Sequence, residues 1–230
     1  MAPYTVLFDL DGTLIDSIEL IQRSKTYAFE SRGLAAPSDA EWLAFIGTPL
    51  RAMFGHYTDD PGEVDRFIAA YREYQLEHHD RLVRAYEGAG PALAAIRDRG
   101  HPVGIVTSKS VELSERGLAH VGLLGYVDTI VGFDSLERHK PDPAPVHLAL
   151  ERLGAPAGRA MFVGDSLHDM HAGREAGVAT VAALWGPFAE AELAPARPTY
   201  YLRTLAELPD LVARLDAHPA DPETSPAAGA

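Results

Sequence analysis

The chain has 230 residues, no cysteine, and 33 acidic against 20 basic side chains, a formal charge of −13. Its length allows one large domain or a core with a smaller module, and the absence of cysteine excludes disulfides, thiolate metal sites and a cysteine nucleophile. The acidic excess repels phosphate backbones and anionic headgroups, no apolar run approaches the roughly 20 residues of a spanning helix, and the N-terminus has no signal-peptide pattern. A cytoplasmic protein is expected, with neither nucleic acid nor membrane as partner.

The first predicted element is the apolar run Tyr4-Thr5-Val6-Leu7-Phe8, whose aromatic and β-branched residues read as a buried central strand. Asp9-Leu10-Asp11-Gly12-Thr13 follows directly. Two carboxylates therefore emerge where a buried strand ends, the place where open α/β sheets keep their sites. In an extended chain Asp9 and Asp11 lie on one side and Leu10 on the other, and Gly12 lets the backbone turn. Such close like charges resist ionisation unless something positive sits between them, and a hard divalent cation held by oxygen ligands would serve. Asp and Gly are also ordinary turn residues, so a polar turn capping the strand is the plainer alternative.

From residue 17 to 83 the pattern stays helical, with apolar residues at three- and four-residue spacing and no second strand. The breaks fall at Ala36-Pro37-Ser38, Gly47-Thr48-Pro49 and Asp59-Asp60-Pro61-Gly62, where Ser38 and Asp60 are candidate caps for the helices that follow. A helical module beside a strand-end site can act as a lid, or it can be a subdomain without a role in the chemistry.

Beyond it, strands are predicted at 103–106, 127–131, 160–163 and 178–182, and helices at about 89–99, 111–121, 144–153 and 168–176, the alternation of a parallel sheet with crossover helices. Three further clusters stand at strand ends. Thr107-Ser108-Lys109 offers hydroxyls and backbone N–H groups near a helix start, where anions are favoured, although Thr and Ser cap helices everywhere. Lys140 precedes Pro141-Asp142-Pro143, a stiff turn that can hold an ammonium in a defined place. Gly164-Asp165-Ser166-Leu167-His168-Asp169 opens a helix, with Asp165 placed at its cap and Asp169 in its first turn, so that both face the strand ends.

The ordered series Asp-x-Asp-Gly-Thr, strand-end Thr, Lys-Pro-Asp-Pro and Gly-Asp-Ser-x-x-Asp resembles the haloacid dehalogenase superfamily of aspartate-nucleophile phosphohydrolases, over about residues 4 to 212. The resemblance implies an α/β fold: a doubly wound, Rossmann-like parallel sheet of strand order 5-4-1-2-3 with an inserted α-helical cap domain. The core would be 1–16 and 84–216 and the cap 17–83. Residues 217–230, rich in Pro, Ala, Ser and acidic side chains, are expected to be disordered.

Carried over by resemblance, Asp9 is the nucleophile that forms an aspartyl-phosphate and Asp11 is the general acid and base. Thr107, Lys140 and, in a second rank, Ser108 hold the phosphoryl oxygens. The implied cofactor is Mg2+, ligated by Asp9, the backbone carbonyl of Asp11 and Asp165; Asp169 either reaches the metal through water or orients Lys140.

Asp11 sets the chain apart from the dehalogenases, which lack that second aspartate. Ile21, where sugar-phosphate mutases carry a histidine, argues against that alternative without removing it. A catalytically silent binding or regulatory module would be expected to have lost one of Asp9, Asp11, Lys140 or Asp165, and all four are present. Phe8 to Ser17 and Gly47-Thr48-Pro49-Leu50 look like phosphoglycolate phosphatases, whereas Tyr71-Arg72-Glu73-Tyr74, Glu77-His78-His79-Asp80 and Tyr86-Glu87-Gly88 look closer to small bacterial pyrophosphatases. The expected partner is a small phosphorylated substrate, phosphoglycolate-like or inorganic pyrophosphate. Arg51, after the Gly47 turn, is a candidate for selecting a second anionic group, with a solvated surface arginine as the alternative. His78 and His79 fit either substrate contact or a polar helix end, and the chain fits a monomer or a homodimer.

Overall fold

The computed structural model describes residues 3–217 of the protein. In chain order, strand β1 (Thr5–Phe8) is followed by a tight turn and the two-residue strand β2 (Ile15–Asp16). Four helices come next: α1 (Ile18–Glu30), α2 (Asp39–Leu43), α3 (Leu50–Gly55) and α4 (Pro61–Leu82). The chain returns through β3 (Arg84–Ala85) and then alternates α5 (Ala89–Asp98), β4 (Val103–Val106), α6 (Val111–His120), β5 (Thr129–Val131), α7 (Ala144–Leu153), β6 (Ala160–Gly164), α8 (Leu167–Glu175) and β7 (Ala179–Ala183). It closes with α9 (Glu190–Leu193), β8 (Tyr200–Leu202) and α10 (Leu208–Ala217). Ala217, placed in the tail by composition, is the last residue of α10, and the rest of the expected disordered tail, 218–230, lies outside the described residues.

The large sheet has the order β5-β4-β1-β6-β7-β8, all neighbours parallel. Its first five members, read from the β7 side, reproduce the expected 5-4-1-2-3 arrangement, and β8 extends it by one strand. Successive side chains of a strand face opposite ways. Val6 and Phe8 accordingly join Ile105, Met161 and Val163 beneath α5 and α10, while Leu7 joins Val106, Val131 and Phe162 beneath α7 and α8. Covering on both faces is why these strands are apolar throughout rather than alternating.

Helices α1 to α4 build a separate core around Phe29, Trp42, Phe54, Phe67 and Tyr71. Phe54 and Phe67 stack with centroids 5.1 Å apart and planes within 6°. Ser38 caps α2 in a reciprocal box with Glu41, and the Asp60 carboxylate accepts the Gly62 N–H at 2.9 Å to cap α4, as the sequence breaks predict. The two crossings between these helices and the sheet are β2 and β3, which pair antiparallel. The continuous helical reading from 17 to 83 is thus bounded by a small ribbon, too short for a period-two pattern to register.

Candidate active site

The carboxyl end of β1 is held by the neighbouring strand, since the Asp9 N–H donates to the Val163 carbonyl at 2.8 Å. The chain then folds onto Leu10, whose carbonyl accepts the N–H groups of Thr13, Leu14 and Ile15 at 3.3, 3.0 and 3.0 Å. Gly12 makes this turn possible with φ of +87°, a conformation that costs other residues strain. A side chain there would also collide with Asp165: a Cβ on Gly12 would stand 2.5 Å from Asp165 Oδ2. Thr13 Oγ1 donates to the other oxygen, Asp165 Oδ1, at 2.7 Å. Asp165 Oδ2 is buried and has no hydrogen-bond partner.

Ser166, not Asp165, is the N-cap of α8. Its hydroxyl accepts the Asp169 N–H at 3.3 Å, and Asp169 Oδ2 accepts from the Ser166 N–H and hydroxyl at 3.0 and 2.6 Å. That shift of one residue leaves the Asp165 side chain free of capping. It also aims Asp169 Oδ1 at Lys140, whose ammonium lies 2.7 Å from it and 2.9 Å from Asp9 Oδ1 and donates to the Val106 carbonyl at 3.3 Å. Both oxygens of Asp169 are therefore occupied by protein donors, which favours orienting Lys140 over ligating a cation.

Oxygens of Asp9, Asp165 and Asp169 lie within 4.8 Å of one another, and all three residues are buried. Of these three carboxylates, Asp9 and Asp169 contact the Lys140 ammonium and Asp165 does not. Burial pushes the Asp9 carboxyl up to about 7, with the Lys140 ammonium opposing and Asp169 adding to the rise. Burial, then repulsion from Asp169 and Asp9, holds Asp165 well above the usual carboxylate range. Burial alone would lower Lys140, but Asp169 and Asp9 more than offset it and keep the ammonium protonated. The uncompensated negative charge and the orphaned Asp165 oxygen beside the bare Gly12 fit a hard divalent cation with oxygen ligands.

Asp11 belongs to a different arrangement. It has a lysine of its own: Lys109 Nζ donates to Asp11 Oδ1 at 2.7 Å, and Ser17 Oγ donates to the same atom at 2.6 Å. Asp9 and Asp11 both open into a cavity of about 480 Å3 between the sheet and helices α3 and α4. Thr107, Ser108 and Lys109 line its floor, and the Thr107 Oγ1 accepts the Lys109 N–H at 3.2 Å. The Ser108 hydroxyl donates to the Gly47 carbonyl and so ties the floor to the loop above it.

Arg51 also lines this cavity, but it is largely exposed and its guanidinium pairs with Asp65. His78 packs edge-on against Tyr74, and His79 is buried with Nδ1 at 2.7 Å from Asp80 Oδ1; neither lines the cavity. Three strand-end segments and the turn at Lys140, which lies nine residues beyond the end of β5 rather than at a strand end as expected, thus supply Asp9, Thr107, Lys140, Asp165 and Asp169. Sequence reasoning left Lys109, Ser17, Thr13 and Arg72 without roles. The only signal for Lys109 was its place in the Thr-Ser-Lys cluster.

An open α/β sheet with paired strand-end carboxylates, a lysine and a second acidic pair is the arrangement to be set beside known hydrolases. Residues 6–183 match the family model of haloacid dehalogenase-like hydrolases. The chain is 39% identical over 204 residues to pyrophosphatase PpaX of Bacillus pumilus, covering 89% of this chain and 94% of that protein. It is 37% identical over 208 residues to the pyrophosphatase PpaX of Halalkalibacterium halodurans, covering 90% and 96%. A crystal structure titled as a predicted phosphatase from Clostridium acetobutylicum superposes with a TM-score of 0.83 at 28% identity, covering 93% of this chain and 100% of that one. The fold is shared as well with a predicted phosphoglycolate phosphatase from Haemophilus somnus, TM-score 0.81 at 24% identity over 91% and 97% of the two chains. The chain belongs to the haloacid dehalogenase-like hydrolases and is an enzyme of their phosphatase kind. No described helix is long and apolar enough to cross a membrane.

Proposed function

We propose that the protein is a Mg2+-dependent phosphohydrolase that works through an aspartyl-phosphate on Asp9, with inorganic pyrophosphate favoured as substrate over a phosphoglycolate-like monoester. The observation that carries the chemistry is Lys140, which holds Asp9 and Asp169 together at 2.9 and 2.7 Å. The preference for pyrophosphate rests on relatives that bear that name and cover nearly the whole chain.

Asp9 Oδ1 is fixed by Lys140, leaving its other oxygen to attack phosphorus in line and displace the leaving oxygen. The Lys140 ammonium and the Thr107 hydroxyl are set to stabilise the phosphoryl oxygens as charge spreads over them. Asp11 protonates the departing oxygen. It then takes a proton from the water that cleaves the aspartyl-phosphate, returning Asp9 and releasing phosphate. Lys109 and Ser17 fix one oxygen of Asp11, so that the other is presented to the cavity. Mg2+, which Asp9 and Asp165 would hold with the Asp11 carbonyl, supplies charge neutralisation for an anion approaching three carboxylates. Burial of Asp9 and Lys140 strengthens the interaction between them.

Phosphate release from pyrophosphate, phosphoglycolate and p-nitrophenyl phosphate, with and without Mg2+, tests the reading. Turnover that requires Mg2+ and is lost in Asp9→Asn supports it. Equal negligible rates for the wild type and Asp9→Asn would refute it.

A further inference from the structure

Three cations line the cavity: Arg51, Arg72 and Lys109. Arg51 is paired with Asp65, and Lys109 with Asp11. Arg72 has neither a carboxylate nor a hydrogen-bond partner among the described residues. Its direction is set by helix α4, because Asp65, Ile68, Ala69, Arg72 and Gln75 share one face at helical spacing and all line the same wall. Arg72 also lines an adjoining recess of about 370 Å3, together with Gln75 and Lys109.

Carboxylate partners are plentiful in a protein with 33 acidic residues, yet none of those described pairs with Arg72. Asp65, one of them, lies two turns away on the same face and is taken by Arg51. What remains is an exposed arginine on the wall of the cavity that holds Asp9, in line with Ile68 and Ala69, whose guanidinium is free to offer a planar fork of donors. Its chemical complement is a carboxylate or phosphate entering with the substrate.

We propose that Arg72 is a specificity-determining residue that binds the second anionic group of a substrate whose first phosphoryl group meets Asp9. The substrate class is then a compact molecule with two anionic groups: two phosphates, or a phosphate and a carboxylate, joined by a short link. This assignment rests on the hydrolytic reading above for its substrate, although binding alone can test it.

The wild type, Arg72→Ala and Arg72→Lys are compared in two assays. Calorimetric titration uses methylenediphosphonate, with two anionic ends, against methylphosphonate, with one. Steady-state kinetics use pyrophosphate against p-nitrophenyl phosphate. Arg72→Ala is expected to weaken methylenediphosphonate binding and raise KM for pyrophosphate by roughly ten- to hundredfold, with changes under about twofold for the compounds with one anionic group. Arg72→Lys, which keeps the charge and loses the fork, falls between. Equal changes for both members of a pair, no change in either, or no binding of methylenediphosphonate by the wild type overturns the assignment. Arg72-dependent binding of methylenediphosphonate without hydrolysis of any phosphate compound would instead refute the hydrolase reading and leave the assignment standing.

Discussion

Lys109 Nζ lies 2.7 Å from Asp11 Oδ1, joining the end of β4 to the turn after β1 across 98 residues of sequence. Both side chains are mostly shielded from solvent. An ion pair so placed fixes the orientation of a carboxylate that must move protons, and misplacement of such a group is costly to rate. Lys109→Met is expected to lower kcat by about tenfold or more while changing KM for p-nitrophenyl phosphate little. Ser17→Ala, which removes a neutral donor from the same oxygen, should cost only several-fold. Steady-state kinetics decide between this and a substrate contact: a raised KM with unchanged kcat in Lys109→Met would move the lysine to substrate binding.

Gly12 combines a positive φ with a close approach to the orphaned Asp165 oxygen. Gly12→Ala should destabilise the protein by about 1–3 kcal/mol and remove the stabilisation that Mg2+ gives. Gly33→Ala separates the two causes, because Gly33 also has positive φ, +69°, yet no atom within 4 Å of the position a Cβ would take. It is expected to show backbone strain alone and to keep the full response to Mg2+. Thermal denaturation with Mg2+ and with chelator measures both. A Gly12→Ala protein whose melting temperature rises with Mg2+ as much as the wild type would separate Asp165 from the metal.

What the sequence made legible follows from where the chemistry sits. Asp9, Thr107, Lys140, Asp165 and Asp169 each occur in a short polar segment, and those of Asp9, Thr107 and Asp165 directly follow an apolar strand; strand order brings the segments to one edge. The pairing of Lys109 with Asp11 had no such mark, since a lysine after two hydroxyl residues looks the same whether solvated or bound. Arg72 was hidden for a different reason: on α4 it lies among Arg66, Glu73 and Glu77, and only the packing of α4 over the sheet distinguishes the cavity face from the outer face. Strands β2, β3 and β8 have two, two and three residues, and neighbouring strands rather than their own periodicity define them.

Burial above all pushes the Asp9 carboxyl from its ordinary value of 3.8 up to about 7 in the folded protein. Between those limits the folded state binds more protons than the unfolded chain, so this group's contribution to stability is present below about pH 4 and is lost as pH rises through about 7. Asp165 acts in the same direction. In chelator, the melting temperature of the wild type should therefore fall across this window relative to Asp9→Asn, which cannot ionise there. Mg2+ favours the ionised carboxylates, so the gap between melting curves with and without Mg2+ should widen as pH rises. A difference between wild type and Asp9→Asn that is flat with pH would show that Asp9 does not titrate in that range.

Gly47 brings the loop between α2 and α3 down onto the sheet. Its carbonyl accepts the Ser108 hydroxyl, its φ is +95°, and a Cβ on it would lie 3.1 Å from Ser166 Oγ and 3.2 Å from His168 Cδ2. The loop thus touches the segments that follow β4 and β6, on either side of Asp9. Ser108→Ala removes the hydrogen bond and leaves the packing, and is expected to reduce kcat/KM only several-fold. Gly47→Ala introduces both strain and a tight contact, and the loop is expected to lift. That should lower kcat/KM by at least tenfold and speed amide hydrogen exchange at residues 44–50, while exchange in β1 and β6 stays unchanged. Lost activity without faster exchange in that loop would mean that Gly47 acts on the substrate directly rather than by closing the cavity.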